Sequence, residues 1–243
     1  MTVLAYLHER IAEGKVHLSL LDPDKLSPEE AGDLAFRAQL AGSDGIMVGG
    51  STGVTTETTD AAVKAIKART RVPVILFPGG AHTLSRFADA VYFMSMLNST
   101  DVRMIVGEQK KAARIIREWG LEAIPMGYLI VEPGMRVGEV GTAQPIPRED
   151  VEEAVRYALT AQYLGMRLVY LEAGSGAPEP VPPKMVTAVR REISIPLVVG
   201  GGIRTPEAAR DTARAGADIV VTGTVIEEDR TRLEAIVDAV KGR

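Results

Sequence analysis

Residues 196–223 read PLVVGGGIRTPEAARDTARAGADIVVTG. An apolar, β-branched run from Pro196 ends in glycines, a helical pattern opens at Thr205-Pro206-Glu207, and a second apolar run from Asp218 ends in Thr222-Gly223-Thr224. Apolar run, Gly-rich turn, helix and apolar run form a βαβ unit, whose two strands lie parallel in one sheet. The same unit recurs outward from this stretch along the chain, with strands read at 16–22, 44–50, 73–78, 90–96, 122–131, 167–172, 196–201 and 218–223. Helical patterns lie at 27–41, 56–69, 107–119, 148–164, 183–192, 205–215 and 227–240. Ser27-Pro28-Glu29-Glu30 and Thr205-Pro206-Glu207 are start signals: the hydroxyl accepts an otherwise unpaired backbone N–H, and proline sacrifices no helical bond in the first turn. Eight strands with helices between them predict an α/β fold, a single eight-stranded β/α (TIM) barrel in which all 243 residues form one domain. Between Phe77 and Ala90 the chain has barely the dozen residues that a parallel crossover needs, so a short loop replaces the third helix. Residues 132–147 are too many for a simple turn and read as a binding loop or lid.

Composition narrows the functional classes. Lys+Arg 28 against Asp+Glu 32 gives a formal net charge of -4, so no global basic field draws in nucleic acid or an anionic membrane. Hydrophobic residues make up 46% and charged residues 25%, ordinary values for a chain with a sizeable core. With Cys at 0, disulfides, thiolate metal sites and a cysteine nucleophile are excluded, and a cytoplasmic location is expected. Residues 1–15 lack the apolar centre of a signal peptide, and no apolar stretch approaches the roughly 20 residues of a membrane span.

In such barrels chemistry sits where the strands end. The ends after the seventh and eighth strands, Gly200-Gly201-Gly202-Ile203-Arg204 and Thr222-Gly223-Thr224, suit a phosphate, because glycines let backbone N–H groups close on its oxygens and helix N-termini add a favourable dipole. Tight turns would also use these glycines, but two such ends on adjacent strands favour phosphate. Asp22, before Pro23, could hold a hard cation or cap a turn, and Ser51 in Gly49-Gly50-Ser51-Thr52 could add an oxygen or merely belong to a turn. By alternation Glu172 points either into the barrel mouth or toward a helix, and serves there as a general base or as a salt-bridged scaffold residue. Tyr170 and Ser175 are candidate orienting hydroxyls. Tyr92, Met94, Met96, Met126, Tyr128 and Ile130, on the fourth and fifth strands, fit either core packing or the wall of a long apolar ligand site. His82 reads as a solvated loop residue, and Trp119 as packing or a subunit contact.

Taken together, Leu21-Asp22-Pro23, Gly49-Gly50-Ser51, Leu97-Asn98-Ser99, Tyr170-Leu171-Glu172-Ala173-Gly174-Ser175-Gly176, Gly200-Gly201-Gly202-Ile203-Arg204 and Gly223-Thr224 resemble the geranylgeranylglyceryl phosphate synthase family with its heptaprenylglyceryl phosphate synthase relatives. The resemblance spans essentially the whole chain, and its most specific part is the Tyr-Leu-Glu-Ala-Gly-Ser-Gly segment. It implies a barrel without a regular third helix and a magnesium-dependent transfer of a prenyl group from geranylgeranyl diphosphate to the 3-hydroxyl of sn-glycerol 1-phosphate. This is the first ether-bond step of archaeal membrane lipids. It further implies magnesium at Asp22 and Ser51, with Glu172 as base on the attacking hydroxyl. Glycerol 1-phosphate would lie on Tyr170, Leu171, Glu172, Ala173, Gly174, Ser175, Gly176, Gly201, Gly202, Gly223 and Thr224. Some members carry a lysine where this chain has Leu20, which leaves anion neutralisation to magnesium, backbone amides and Lys25 or Arg204. That departure resembles the family's second subgroup, whose members form larger homo-oligomers, up to hexamers. Two rivals are a phosphosugar isomerase or synthase barrel of amino-acid biosynthesis and a non-catalytic phosphate-binding subunit.

Overall fold

The computed structural model describes residues 1–50, 53–223 and 232–243. Among them, eight parallel strands close a barrel in sequence order: β1 (Val16–Leu21), β2 (Gly45–Val48), β3 (Val74–Leu76), β4 (Ala90–Met96), β5 (Glu122–Ile130), β6 (Leu168–Glu172), β7 (Leu197–Gly200) and β8 (Ile219–Thr222). Closure runs through β1 and β8, with Val16 opposite Ile219 and Ser19 opposite Thr222. The period of two along each strand sorts side chains into two cores. Leu18, Met47, Ile75, Tyr92, Met126, Tyr128, Tyr170, Val198 and Val221 fill the barrel. Leu21, Val48, Leu76, Val91, Leu129, Leu171, Val199 and Val220 face the helical ring.

The described helices are α1 (Val3–Glu13), α2 (Pro28–Ala41), α3 (Thr56–Arg69), α4 (Glu108–Trp119), α5 (Met135–Val140), α6 (Val151–Tyr163), α7 (Pro183–Glu192), α8 (Pro206–Ala215) and α9 (Arg232–Lys241). Ser27 caps α2 in a reciprocal capping box with Glu30, and the Thr205 hydroxyl accepts the Ala208 N–H at 3.2 Å, as the two start signals require. The connection from β3 to β4 holds only a 3-10 turn, Ala81–Thr83, so the third helix is replaced by a loop. No helix among the described residues is long and apolar enough to cross a membrane.

Two helices escape the sequence reading. Helix α1 lies in the stretch read only as a signal-free N-terminus, yet Val3 and Leu7 join the interior core and stopper one end of the barrel. Glu122, at the start of β5, fixes α1 by accepting the N–H groups of Val3 at 2.5 Å and Leu4 at 3.0 Å. Helix α5 lies inside the 132–147 loop. Asn98 ties that loop to β4: its amide oxygen accepts the Ile130 N–H at 3.1 Å, and its amide nitrogen donates to the carbonyls of Ile130 at 2.8 Å and Gln144 at 2.9 Å. The expected helix at 227–240 is described from Arg232 onward.

Candidate active site

The strand ends assemble around β6. Tyr170 and Glu172 point into the barrel mouth, while Leu171 packs outward against the helices, which settles the orientation that alternation leaves open. Glu172 is buried at 5% exposure, with Oε1 accepting the Gly174 N–H at 2.7 Å. Register places Tyr128 on β5 beside Tyr170 on β6, just below the Ile130–Glu172 pair, and both phenols hydrogen-bond the carboxylate. Burial raises the Glu172 pKa above the usual carboxylate range, with the Gly174 amide and the two phenols pulling the other way. Burial, reinforced by the Glu172 charge, pushes both phenols well above the ordinary tyrosine value, so they act as donors rather than as acids.

On one side of Glu172 lies a small pocket of about 430 Å³ including its mouth, walled by Ser175, Gly176, Gly201, Gly202, Arg204 and Gly223. Gly201 has φ +82 and Gly202 φ +71, a left-handed backbone that glycine adopts at little cost. A Cβ on Gly201 would collide with the Glu172 carboxylate, and one on Gly202 with the backbone of Glu179. The glycines therefore let the loop after β7 close beside Glu172. Arg204 donates to the Gly176 carbonyl at 2.9 Å and brings a cation to this rim.

On the other side opens a much larger groove, about 1230 Å³ including its mouth. Its polar end holds Asp22, Glu172 and Ser175, and its walls are Phe77, Tyr92, Phe93, Met94, Met96, Met104, Ile116, Tyr128, Val137 and Val140. The groove occupies the space where a third crossover helix would pack, so the missing helix and the apolar site are one feature. Leu20, Glu172 and Ser175 line both cavities, which makes this trio the boundary between the two compartments.

The arrangement refines the residue assignments. Tyr170, Glu172, Ser175, Gly176, Gly201, Gly202 and Gly223 gather at the small pocket. Leu171 and Ala173 do not line it: their side chains are fully buried in the outer core, because their strand parity turns them away from the mouth. Gly174 is behind Glu172, its N–H already committed to that carboxylate. Ser51 and Thr224 lie outside the described residues. Tyr92, Met94, Met96 and Tyr128 face the groove, whereas Met126 and Ile130 are interior core. His82 is exposed, as expected of a solvated loop residue. The sequence reading passed over Phe77, at the end of β3, and Arg136, on α5, both on the groove wall. The signal for Phe77 was its position one residue beyond an apolar strand.

Lys25 donates to Asp22 Oδ2 at 2.7 Å, and Asp22 Oδ1 is 2.9 Å from the point where a Gly49 Cβ would stand, so the absence of that side chain keeps this oxygen accessible. Among the described residues no group of three or more His, Cys, Asp and Glu side chains could cage a metal. One carboxylate at the polar end of a groove nevertheless suits magnesium, which takes one or two protein carboxylates and completes its shell with water and substrate phosphate oxygens.

A glycine-lined pocket and an apolar groove that meet at a buried carboxylate suit the class of β/α-barrel transferases, which can hold a phosphorylated polar acceptor beside an apolar group. Comparison with known proteins gives the particular family. The PcrB family matches residues 9–242. The geranylgeranylglyceryl phosphate synthase of Thermococcus kodakarensis is 54% identical, over 99% of this chain and 98% of its own. That of Methanothermobacter thermautotrophicus is 49% identical, over 100% and 98%. A crystal structure of (S)-3-O-geranylgeranylglyceryl phosphate synthase from Thermoplasma acidophilum, in complex with its substrate sn-glycerol-1-phosphate, superposes with a TM-score of 0.97 at 48% identity over the whole of both chains. A thiamine phosphate pyrophosphorylase from Pyrococcus furiosus, at TM-score 0.61 and 17% identity, shares the fold alone. The chain belongs to the PcrB family, and it is a prenyltransferase of lipid biosynthesis.

Proposed function

We propose that this barrel transfers the geranylgeranyl group of geranylgeranyl diphosphate to the 3-hydroxyl of sn-glycerol 1-phosphate, with release of diphosphate. The observation that carries the reading is the position of Glu172 on the wall shared by the small pocket and the apolar groove. Glycerol phosphate fits the pocket: backbone N–H groups after β7 and β8 and the Arg204 guanidinium meet the phosphate, and its free hydroxyl reaches toward Glu172. The prenyl chain fits the groove, where methionine, aromatic and valine side chains replace water around it. Its diphosphate then lies at the polar end, near Asp22.

Asp22 would hold magnesium there, with Ser51 as the second ligand that the family resemblance implies. When bound, the ion neutralises charge on the leaving diphosphate. This chain's own residues do the remaining work. Tyr128, Tyr170 and the Gly174 amide orient the Glu172 carboxylate. Its raised pKa makes it a stronger base than a solvated carboxylate, suited to accept the proton of the attacking hydroxyl. The apolar walls keep water from competing for the allylic carbon. A phosphosugar isomerase would have no use for so large an apolar groove beside its anion pocket. The proposal includes a cytoplasmic homo-oligomer, up to a hexamer, and Leu40, Tyr163 and Leu164 supply exposed apolar surface for subunit contacts.

Glu172→Gln tests the reading. Single-turnover transfer to radiolabelled sn-glycerol 1-phosphate is expected to fall about 10²–10⁴-fold, while acceptor affinity stays within a few-fold. A stable variant that transfers at the wild-type rate would remove Glu172 from the mechanism.

A further inference from the structure

We propose that Phe77 is a further catalytic residue, whose ring face stabilises the positive charge that develops on the allylic carbon as diphosphate departs. The inference deepens the prenyl-transfer reading and rests on it. In that reaction the C1–O bond breaks and its electron pair leaves with diphosphate. C1 then bonds to the glycerol 3-oxygen, whose proton passes to Glu172. Charge on the prenyl fragment is greatest between the two anionic ends of the site, after the first bond has weakened and before the second has formed.

Phe77 stands at the end of β3, on the wall of the groove. Its N–H donates to the Val48 carbonyl at 2.8 Å, which fixes it beside the strand end that leads into Gly49, the residue that leaves room for Asp22 Oδ1. Its ring centre is 5.7 Å from Tyr170, with planes inclined by 29°, and 5.4 Å from Tyr128, nearly perpendicular at 89°. Those two phenols hold the base, so the ring lies one aromatic contact from Glu172. Phe77 is only half-buried although it closes an interior strand, and it lines the groove together with Asp22 and Glu172. A third ring, Tyr92, meets it edge to face at 6.3 Å and limits its reorientation. A leucine would fill the same apolar wall. An aromatic ring adds a negative quadrupole face, and in a site that excludes water its attraction for a cation is strongest.

The test changes the quadrupole and leaves the shape nearly intact. Phe77 is replaced by 4-fluoro-, 3,5-difluoro- and 3,4,5-trifluorophenylalanine, and single-turnover transfer from geranylgeranyl diphosphate to sn-glycerol 1-phosphate is measured together with Tm and acceptor affinity. The rate is expected to fall stepwise with each fluorine, about tenfold across the series, the scale of one cation–π contact in a desolvated site. Tm and acceptor affinity stay at wild-type values. Phe77→Leu is expected to match or exceed the trifluoro loss. Rates independent of fluorination overturn the proposal, and a loss confined to Phe77→Leu then assigns the ring a packing role. Absence of transfer by the wild-type enzyme would instead overturn the reading of the reaction, and this proposal with it.

Discussion

His17 makes the barrel sensitive to acid. It faces outward from β1 into a wholly buried polar cluster: Nδ1 is 2.7 Å from Ser43 Oγ, Nε2 is 2.9 Å from Thr222 Oγ1, and Ser43 Oγ is 2.8 Å from Ser19 Oγ. The neighbouring charges are Asp44, which accepts the His17 backbone N–H at 3.0 Å, and Lys241 of α9, paired with Asp44 at 2.7 Å. Burial, and then repulsion from Lys241, lowers the imidazole pKa from 6.5 to about 3, so the ring is neutral in the fold. The unfolded chain binds this proton below pH 6.5 and the folded chain only near pH 3, so the contribution is present above 6.5 and is lost as pH falls through that window. At about 1.36 kcal/mol per unit, two units below 6.5 remove roughly 3 kcal/mol at pH 4.5. The check is urea unfolding of wild type and His17→Gln between about pH 4.5 and 7. Glutamine keeps hydrogen-bonding capacity without titrating, so the variant's stability is expected to fall less steeply, by about one proton's worth of slope. Carboxylates contribute to both curves and cancel in the comparison. Parallel curves would refute the reasoning. The consequence reaches the site, because Thr222 immediately precedes Gly223 of the anion pocket.

The site yields three further expectations. Asp22→Ala, assayed with magnesium supplied, should lose at least about 100-fold in transfer while binding sn-glycerol 1-phosphate nearly as before, since Asp22 lines only the groove; an unchanged rate would dismiss the metal assignment. Gly223→Ala should raise KM for the phosphorylated acceptor with Tm preserved, because among the described residues a Cβ there meets nothing closer than Leu20 at 3.4 Å; an equal loss for both substrates would point to misfolding. Tyr170→Phe removes a donor that favours ionised Glu172, so the acid limb of kcat/KM should move to higher pH, and a limb that stays or moves down would show that the phenol does not tune the base.

Much of this architecture was legible from local pattern. The period-two runs, the Pro-containing helix starts and the short connection after Phe77 each have a local cause, and they specify the barrel and its missing helix. What the sequence hid was non-local. Helix α1 is short and polar on its outer face, and only the open barrel end it plugs shows why Val3 and Leu7 are apolar. Asn98 enters the sequence reading only within the Leu97-Asn98-Ser99 segment, and its structural role stays hidden there because its partners, Ile130 and Gln144, are 32 and 46 positions away. Within the Tyr-Leu-Glu-Ala-Gly-Ser-Gly segment, the motif is contiguous but the strand is pleated, so consecutive side chains face opposite sides of the barrel wall. Tyr170 and Glu172 reach the mouth, and Leu171 and Ala173 build the wall behind it.

Leu20 shows how a single departure redistributes work among the other residues. It lines both cavities, so an apolar side chain stands where a strand-borne lysine would place a cation between the two anions. The cations near the mouth are carried by loops and helices instead. Lys25 is paired with Asp22 at 2.7 Å, and Arg204 is tied to Gly176 on the far rim. Arg136 of α5 lines the groove and reaches Glu139 at 3.4 Å. A cation bound at Asp22 would have to share the carboxylate with Lys25 or displace it. The Lys25 side chain is 45% exposed and that of Asp22 18%, so screening by solvent weakens the pair.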